Sequence, residues 1–218
     1  MAILAAVTSA VGEAERLART HGQWMVWNTF LAVVPFVLAV LLFQTGRPRS
    51  KGWWFGAITF VLFLPNAPYL LTDVVHLFGD IRTRPSDLQV LGIYVPVYLV
   101  LFSLGLVLYT AALDQLHRYV RHEQPAWRWW PIELGLHVLV AIGIYLGRVV
   151  RLNSWDVFTR PHVVLAATDG LPGLFAVALV AVTTVVLIVG VTMTRVVERG
   201  TVDLVRSWRT ERRHPGAA

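Results

Sequence analysis

Residues 52–80 read GWWFGAITFVLFLPNAPYLLTDVVHLFGD, and this stretch decides the fold. Its apolar start is typical of a membrane span, because a helix needs about 20 such residues to cross ~30 Å of hydrocarbon. Pro65 and Pro68 each remove an amide donor and clash with the carbonyl group four residues earlier. The stretch therefore predicts a membrane-spanning helix that is broken at Pro65/Pro68, with Asn66 capping a new turn.

The composition of the whole chain is that of an integral membrane protein. Of its 218 residues, 56% are hydrophobic and only 15% are charged, and the mean hydropathy is +0.60. An average soluble domain has about 25% charged residues. The chain has no cysteine, which excludes disulfides and thiolate metal sites.

The formal net charge of +6 does not indicate nucleic-acid binding. No RNA-recognition motif, helix-turn-helix or zinc-finger pattern accompanies it, and the basic residues flank the apolar runs. We therefore expect membrane lipids as partners and no nucleic acid. The sequence identifies neither a cofactor nor a protein partner.

Five apolar runs are long enough to cross a bilayer. They lie at about 24–43, 52–72, 90–113, 131–150 and 170–194. We predict an all-α, polytopic transmembrane helical bundle of about five spans. Its predicted parts are an N-terminal surface arm (1–20), a five-span membrane domain (21–195) and a basic cytoplasmic tail (196–218).

The distribution of lysine and arginine predicts the orientation of the bundle. Segments 44–51, 114–130 and 195–218 together carry twelve of these residues, whereas the segments on the opposite side carry seven. Basic loops tend to stay in the cytoplasm. We therefore expect a multi-pass protein of the cell membrane with its N-terminus outside and its C-terminus in the cytoplasm.

Asp73 and His76 follow the predicted break in the second span. If the helix resumes after Pro68, these two side chains and Tyr69 share one helix face. Asp73 and His76 are candidate catalytic residues, acting as acid/base groups or as metal ligands, although no metal is specified. Purely structural pairing is the alternative.

The fourth span carries an unusual charged stripe. Glu133, His137, Arg148 and Arg151 fall within about 60° of one another on a helical wheel. Each such group costs about 2.5–3.5 kcal/mol at the centre of a bilayer, so these groups normally turn inward and pair. We therefore expect the fourth span at the bundle centre. Glu133 and His137 are predicted to pair with each other, with Asp114 or Tyr109 as possible neighbours, as a proton path or as a structural pair.

The topology brings the two arginines to the same side of the membrane as Asp73. Asn153 and Asp156 follow directly, so we predict a cluster in which Arg148 and Arg151 meet Asp73 and Asp156. Arginine binds phosphate and carboxylate groups with two hydrogen bonds, although it can also extend to lipid headgroups. The predicted ligand-binding residues are Asn66, Tyr69, Arg148, Arg151, Asn153 and Asp156.

The blocks FLPNAPYLLTDVVHL (63–77) and YLGRVVRLNSWDV (145–157) give the chain a family resemblance. The sequence resembles the bacterial domain-of-unknown-function 1361 family of multi-pass membrane proteins, from about residue 24 to residue 194. The resemblance implies a membrane fold and implies no activity. It adds weight to both blocks as the site and leaves the function open.

Three classes of function remain open from the sequence. The polar site could bind or process an anionic lipid or lipid-linked substrate, and it could serve a transporter or proton-coupled protein. A non-catalytic assembly or sensor subunit is the third class, for which Gly135, Gly143 and Gly147 would pack against another chain. The sequence has no GxSxG, HExxH, Walker or Rossmann motif, so the enzymes that carry them have no support.

Overall fold

The structure is a computed structural model that describes residues 1–44, 48–83, 86–168 and 173–213. These residues form helices and connections, and no strand occurs among them. Five helical stretches within the described residues are long and apolar enough to cross a membrane. They are Val11–Leu42, Lys51–Arg82, Asp87–Glu123, Trp129–Val150 and Leu174–Trp208, which we call the first to fifth spans. The predicted all-α, five-span bundle is confirmed.

The first span belongs to one long helix, and the second is assembled from four pieces. Their elements are α1 (Ala2–Leu42), α2 (Lys51–Phe63), α3 (Asn66–Tyr69), a 3-10 turn (Leu70–Asp73) and α4 (Val74–Thr83). No break separates residues 1–20 from the first span. The boundary of the predicted surface arm therefore falls inside α1.

The third and fourth spans each contain a π-helical segment. The remaining elements are α5 (Asp87–Gln89), a π segment (Val90–Tyr94), α6 (Val95–Glu123), α7 (Trp129–Tyr145), a π segment (Leu146–Val150), α8 (Asp156–Thr159), α9 (Pro161–Thr168) and α10 (Leu174–Arg213). The predicted start of the fifth span at 170 lies outside the described residues. The predicted start of the tail at 196 lies within α10.

The break in the second span is stabilised differently from the predicted cap. Asn66 accepts no helical amide; its side-chain Nδ2 donates to the Phe63 carbonyl at 2.9 Å. Ala67 N bonds the Leu64 carbonyl, 3.3 Å away, and leaves the Phe63 carbonyl to this amide group. The prediction of an Asn66 cap is therefore wrong, because the Asn66 side chain satisfies the part-buried Phe63 carbonyl that the break frees.

The third span, rather than the fourth, lies at the bundle centre. α6 packs against helices of all four other spans, whereas α7 packs mainly against α10. Tyr98, Tyr109 and Leu113 of α6 are completely buried. The prediction that the fourth span lies at the bundle centre is therefore wrong. Its paired ionisable side chains each contact one other helix, so other helices do not need to surround the fourth span.

Close approach of the broken second span depends on glycine at two positions. A Cβ on Gly143 would overlap with Pro65 Cγ and lie 2.9 Å from Pro65 Cβ. A Cβ on Gly105 would lie 2.6 Å from the Ala67 carbonyl oxygen. These glycines of the fourth and third spans therefore let the irregular segment 64–69 sit inside the bundle, where protein surrounds its backbone.

Candidate functional site

An ion pair joins the ends of the second and fourth spans. Arg148 Nη1 lies 3.6 Å from Asp73 Oδ1, and Arg148 Nη2 donates to the Thr72 carbonyl at 3.0 Å. The guanidinium carbon also lies 5.8 Å from the centre of the Tyr69 ring, within cation–π range. The π segment Leu146–Val150 carries Arg148 to this position. The pairing expected between Arg148 and Asp73 is present.

Asp73 is almost completely buried, with 1% of its surface exposed. Asn28 of the first span lies beside it. Neither carboxylate oxygen has a well-aligned hydrogen-bond donor among the described residues. Arg148 therefore supplies the charge compensation, which a buried carboxylate needs in order to remain ionised.

Asp156 has a different partner from the one predicted. Its Oδ1 accepts hydrogen bonds from Arg160 Nη2 at 2.8 Å and from Arg160 Nε at 3.1 Å. Its Oδ2 accepts the backbone N–H of Asn153 at 2.7 Å. The prediction that Asp156 joins Arg148 and Arg151 is therefore wrong, because Arg160 lies one helical turn away and reaches it first.

The bonds to Asp156 shift its protonation. The Asn153 amide and then the Arg160 guanidinium hold the pKa of Asp156 below its ordinary value, because both stabilise the charged form. The carboxylate thereby holds together the connection between the fourth and fifth spans. It is a positioning group for the loop that starts at Arg151.

Arg151 has an uncommon backbone conformation. Its φ angle is 64°, and it is the one non-glycine residue with positive φ among the described residues. The left-handed conformation ends the π segment and lets Leu152 N bond the Leu146 carbonyl at 3.1 Å. Such strain costs of order 1–3 kcal/mol and is often kept at functional sites. The Arg151 side chain is exposed and has no ion-pair partner among the described residues.

A cavity of about 640 Å³ opens beside this loop, and we call it the Arg151 cavity. Its walls come from the first span, the break in the second span, the end of the fourth span and residues 151–164. Four predicted ligand-binding residues line it: Asn66, Tyr69, Arg151 and Asn153. The volume falls within the range of about 300–1,000 Å³ that is usual for small-molecule sites.

One hydrogen bond ties the two sequence blocks together at the cavity wall. Asn66 Nδ2 donates to Ser154 Oγ at 2.8 Å, and both residues line the cavity. Asn66 thus links the broken helix to the loop after the fourth span. Asp73 and Arg148 lie behind this wall, in contact with the lining residues Asn28 and Tyr69.

His76 lies in a separate aromatic cluster. Its ring centre is 4.8 Å from that of Trp24 and 5.8 Å from that of His21. The His21 Nε2 atom lies 3.1 Å from Asp80 Oδ1, and Tyr98 Oη donates to Asp80 Oδ2 at 3.1 Å. His76 is not among the lining residues of the Arg151 cavity. The four residues of a possible catalytic group, Asp73, His76, Arg148 and Asp156, therefore do not form one hydrogen-bonded set in the described part of the chain.

No group of three or more His, Asp and Glu side chains with metal-binding geometry occurs among the described residues. The His21 ring explains part of this result. Its Nδ1 accepts the indole N–H of Trp24 at 3.0 Å, and its Nε2 faces Asp80. Both ring nitrogens of His21 are therefore engaged in hydrogen bonds, although His76 lies close by.

Glu133 and His137 do not pair with each other. Glu133 Oε1 lies 2.7 Å from Arg195 Nη2, and His137 Nδ1 lies 2.8 Å from Tyr109 Oη. Arg195 also bonds Asp114 Oδ1 through Nη2 at 2.6 Å. The predicted i, i+4 pair is wrong, since the fifth and third spans offer each side chain a better partner. Asp114 is linked to Glu133 through Arg195, which contacts both carboxylates, and Tyr109 contacts His137 directly.

Apolar side chains separate the two polar ends of the fourth span. Val140, Ala141 and Ile144 lie between His137 and Arg148 and are at most 5% exposed. All three belong to the main hydrophobic core. This packing argues against the transporter hypothesis, which requires a polar path between the two ends.

The hypothesis of a non-catalytic assembly subunit also loses most of its support. Gly143 faces Pro65, and a Cβ on Gly147 would lie 3.3 Å from the Tyr69 ring. Both glycines therefore pack against the second span of the same chain. Gly135 alone of the three has open space beside it.

Several contributors to these sites were missed from the sequence, among them Arg160, the partner of Asp156. His21 precedes an apolar run, Asn28 lies within it, and Arg195 follows the last one. An isolated polar residue at the margin of a span is a weak signal, because most such residues face water. The polar residue Asn28 within a predicted span was the one signal that could have been used.

Comparison with known proteins identifies the family of this chain. The family described as "Protein of unknown function (DUF1361)" matches residues 27–199. The chain belongs to the DUF1361 family. The DUF1361 match includes every residue that lines the Arg151 cavity, from Trp27 to Val164. His21 and residues 200–218 of this DUF1361 protein lie outside the match. Neither the curated proteins nor the solved structures gave a match.

Proposed function

We propose that this protein binds an anionic amphiphile, a lipid or lipid-linked substrate, in the Arg151 cavity. The observation that carries the proposal is Arg151 itself, an arginine held in a strained backbone conformation at a mostly apolar cavity. Arg151 has no acidic partner among the described residues, so its charge is available to a ligand. A family of membrane proteins without an assigned activity is consistent with this role.

The apolar part of the cavity supports an acyl or isoprenoid chain as the second half of the ligand. Side chains from the first, second and fourth spans form it, and they are Trp27, Leu31, Val61, Leu62, Leu139, Ile142 and Leu146. Burying apolar ligand surface against them contributes about 25 cal/mol per Å². An amphiphile would place its chain here and its charged group at the loop.

The polar end of the cavity supports recognition of a phosphate or carboxylate group. Arg151 would pair with it, since guanidinium groups bind such anions through two parallel hydrogen bonds. Asn153 and Tyr69 line the same cavity and carry groups that donate hydrogen bonds. Arg148 is used differently from our prediction, because its guanidinium already contacts Asp73, Thr72 and Tyr69. We assign it to the support of the wall.

We further propose that this end of the bundle faces outward across a bacterial inner membrane. The excess of basic residues on the opposite side supports this orientation. The N-terminus would then be outside and the C-terminus in the cytoplasm. The ligand would enter from the outer leaflet.

We keep Asp73 and His76 as candidate acid/base groups, but neither lines the Arg151 cavity, so we assign them no contact with the bound ligand. Asp73 lies behind the cavity wall beside Asn28, and His76 follows one turn later. His76 has ring contacts and no hydrogen bond among the described residues, so its nitrogens are available for proton transfer. A proton-coupled transporter and a non-catalytic subunit are the alternatives, and neither has a specific contact in its favour.

The test is native mass spectrometry of the purified protein with phosphatidylglycerol and with diacylglycerol, which lacks the phosphate. Arg151→Gln should weaken phosphatidylglycerol binding roughly tenfold, as expected for loss of a charge-assisted hydrogen bond. Diacylglycerol binding should not change. Arg82→Gln is the matched control, because Arg82 lies at the same end of the bundle and does not line the cavity.

Arg151→Gly separates ligand binding from stability. Glycine adopts positive φ without strain, so this variant should be at least as stable as the wild type while it binds less phosphatidylglycerol. Unchanged phosphatidylglycerol occupancy in both Arg151 variants would sink the proposal.

A further inference from the structure

A second cavity lies at the opposite end of the bundle. It has a volume of about 270 Å³, and we call it the Trp129 cavity. Side chains from α6, the start of α7 and α10 line it. It shares no lining residue with the Arg151 cavity. Its small volume suits a compact polar group, since pockets for drug-sized ligands span about 300–1,000 Å³.

The lining of the Trp129 cavity carries three arginines and two carboxylates, and Glu133 beside Arg195 brings the acidic groups to three. Arg195 is neutralised by Asp114 and Glu133, whose oxygens lie 2.6 and 2.7 Å from its Nη2. The other two arginines of the lining are Arg118 and Arg199. The remaining carboxylate of the lining, Glu198, offsets only one of them.

Neither of these two arginines has an acidic partner among the described residues. Arg118 donates a hydrogen bond to the side-chain carbonyl of Gln115, which carries no charge. Arg199 has neither an ion pair nor a side-chain hydrogen bond with the described groups. Two guanidinium groups at one small cavity are a suitable donor set for a phosphate.

The indole N–H of Trp129 is a second, independent feature of the cavity, because it lacks a hydrogen-bond acceptor within the described part of the chain. Its Nε1 atom is buried and has no hydrogen-bond partner among the described residues. The indole ring is held in place, because it stacks on His117 with ring centres 4.5 Å apart and planes 14° from parallel. An unsatisfied buried donor costs about 1–3 kcal/mol, so this N–H would gain from an oxygen acceptor once a shift of the ring exposes it to the cavity.

We propose that the Trp129 cavity binds the phosphate group of a phosphate ester, with Trp129 donating its indole N–H and Arg118 and Arg199 supplying the charge. The cavity lies where α6 ends and α7 begins, at the level at which lipid headgroups meet water. A lipid phosphate of that leaflet and free phosphate share the chemistry. This inference is independent of the function proposed above.

The test uses the full-length protein and three variants. Trp129→Phe removes the N–H and keeps an aromatic ring for the His117 stack, while Arg199→Gln removes one charge at an exposed position. Lys51→Gln is the matched control, because Lys51 is a cation at the same end of the bundle and does not line the cavity. Each is made in the Arg151→Gln background, so that the other cavity does not contribute phosphate-dependent binding.

Native mass spectrometry measures binding of phosphatidylglycerol and of diacylglycerol, and isothermal titration measures inorganic phosphate. We expect Trp129→Phe and Arg199→Gln each to weaken the binding of a phosphate-containing ligand roughly tenfold. Lys51→Gln should leave that affinity unchanged. A loss confined to phosphatidylglycerol identifies a lipid phosphate, and a loss confined to inorganic phosphate identifies a free one.

Two outcomes overturn the proposal. One is that the Arg151→Gln protein binds every phosphate-containing ligand equally well with and without the added Arg199→Gln substitution. The other is a loss of binding in Lys51→Gln as large as that in Arg199→Gln. If Trp129→Phe does not fold, Arg199→Gln decides the question, because an exposed side chain on a long helix contributes little to folding.

Discussion

Arg148 Nη1 lies 3.6 Å from Asp73 Oδ1, which joins the irregular end of the fourth span to that of the second. The two members of this pair are unequally buried, since the side chain of Asp73 is 1% exposed and that of Arg148 is 28% exposed. The arginine can reach water or lipid headgroups without its partner, and the carboxylate cannot. Removal of one member should therefore have unequal effects.

Arg148→Gln should destabilise the protein by about 3–5 kcal/mol, because it leaves a buried carboxylate without a counter-ion. Asp73→Asn should cost less, since Arg148 keeps its bond to the Thr72 carbonyl and its contact with Tyr69. The double variant should be more stable than Arg148→Gln alone. Unfolding in mild detergent measures all three, and an Asp73→Asn variant that is the less stable single variant would contradict the asymmetry.

Gly143→Ala should destabilise the protein by about 1–3 kcal/mol, a typical cost of overpacking. The added methyl group would meet Pro65, whose ring cannot rotate away. Gly135→Ala is the matched control on the same helix, because nothing lies within 4 Å of the added Cβ. The control should be neutral or stabilising by up to about 1 kcal/mol. Thermal unfolding that ranks the two variants equally would refute this packing.

Tyr109→Phe should cost about 1–3 kcal/mol, the price of leaving His137 without its buried partner. Tyr145→Phe on the same α7 helix as His137 is the control, since the Tyr145 hydroxyl has no partner among the described residues. Denaturant unfolding compares the two. A Tyr109→Phe variant as stable as Tyr145→Phe would show that the His137 contact contributes nothing.

Arg195→Gln should be more destabilising than either Asp114→Asn or Glu133→Gln. Arg195 bridges both carboxylates, so its loss leaves two partly buried anions facing each other. Each single carboxylate variant keeps one ion pair. Thermal unfolding of the three variants provides the comparison, and a ranking in which Glu133→Gln is the least stable would argue against a shared arginine.

The connection held by Asp156 should weaken in acid. Its folded-state pKa is lowered, so its stabilisation is complete above the ordinary carboxylate pKa of about 3.9 and is lost as the pH falls through the lower folded value. Asp156→Asn lacks this effect. The difference in thermal stability between wild type and Asp156→Asn should therefore shrink below about pH 4. Parallel pH profiles of the two proteins would exclude the mechanism.

The sequence by itself determined the five spans and the break in the second one. An apolar run of about 20 residues has one stable solution in a bilayer, and two prolines three residues apart cannot continue a helix. It also determined that Asp73 and Arg148 end their spans on the same side. Local rules sufficed for these features because each depends on neighbouring residues or on counting spans.

Only the tertiary structure decided which polar side chains meet. Asp156 bonds Arg160, Glu133 bonds Arg195, and Arg151 is left exposed beside a cavity. Helical periodicity places residues on a face but does not say which helix lies opposite. In the structure α10 lies against α7 and brings Arg195 to Glu133. Arg160 is a local partner, since it lies four residues from Asp156. The partner of a buried charge on another helix, such as Arg195 for Glu133, depends on packing of whole helices, which no short stretch of sequence contains.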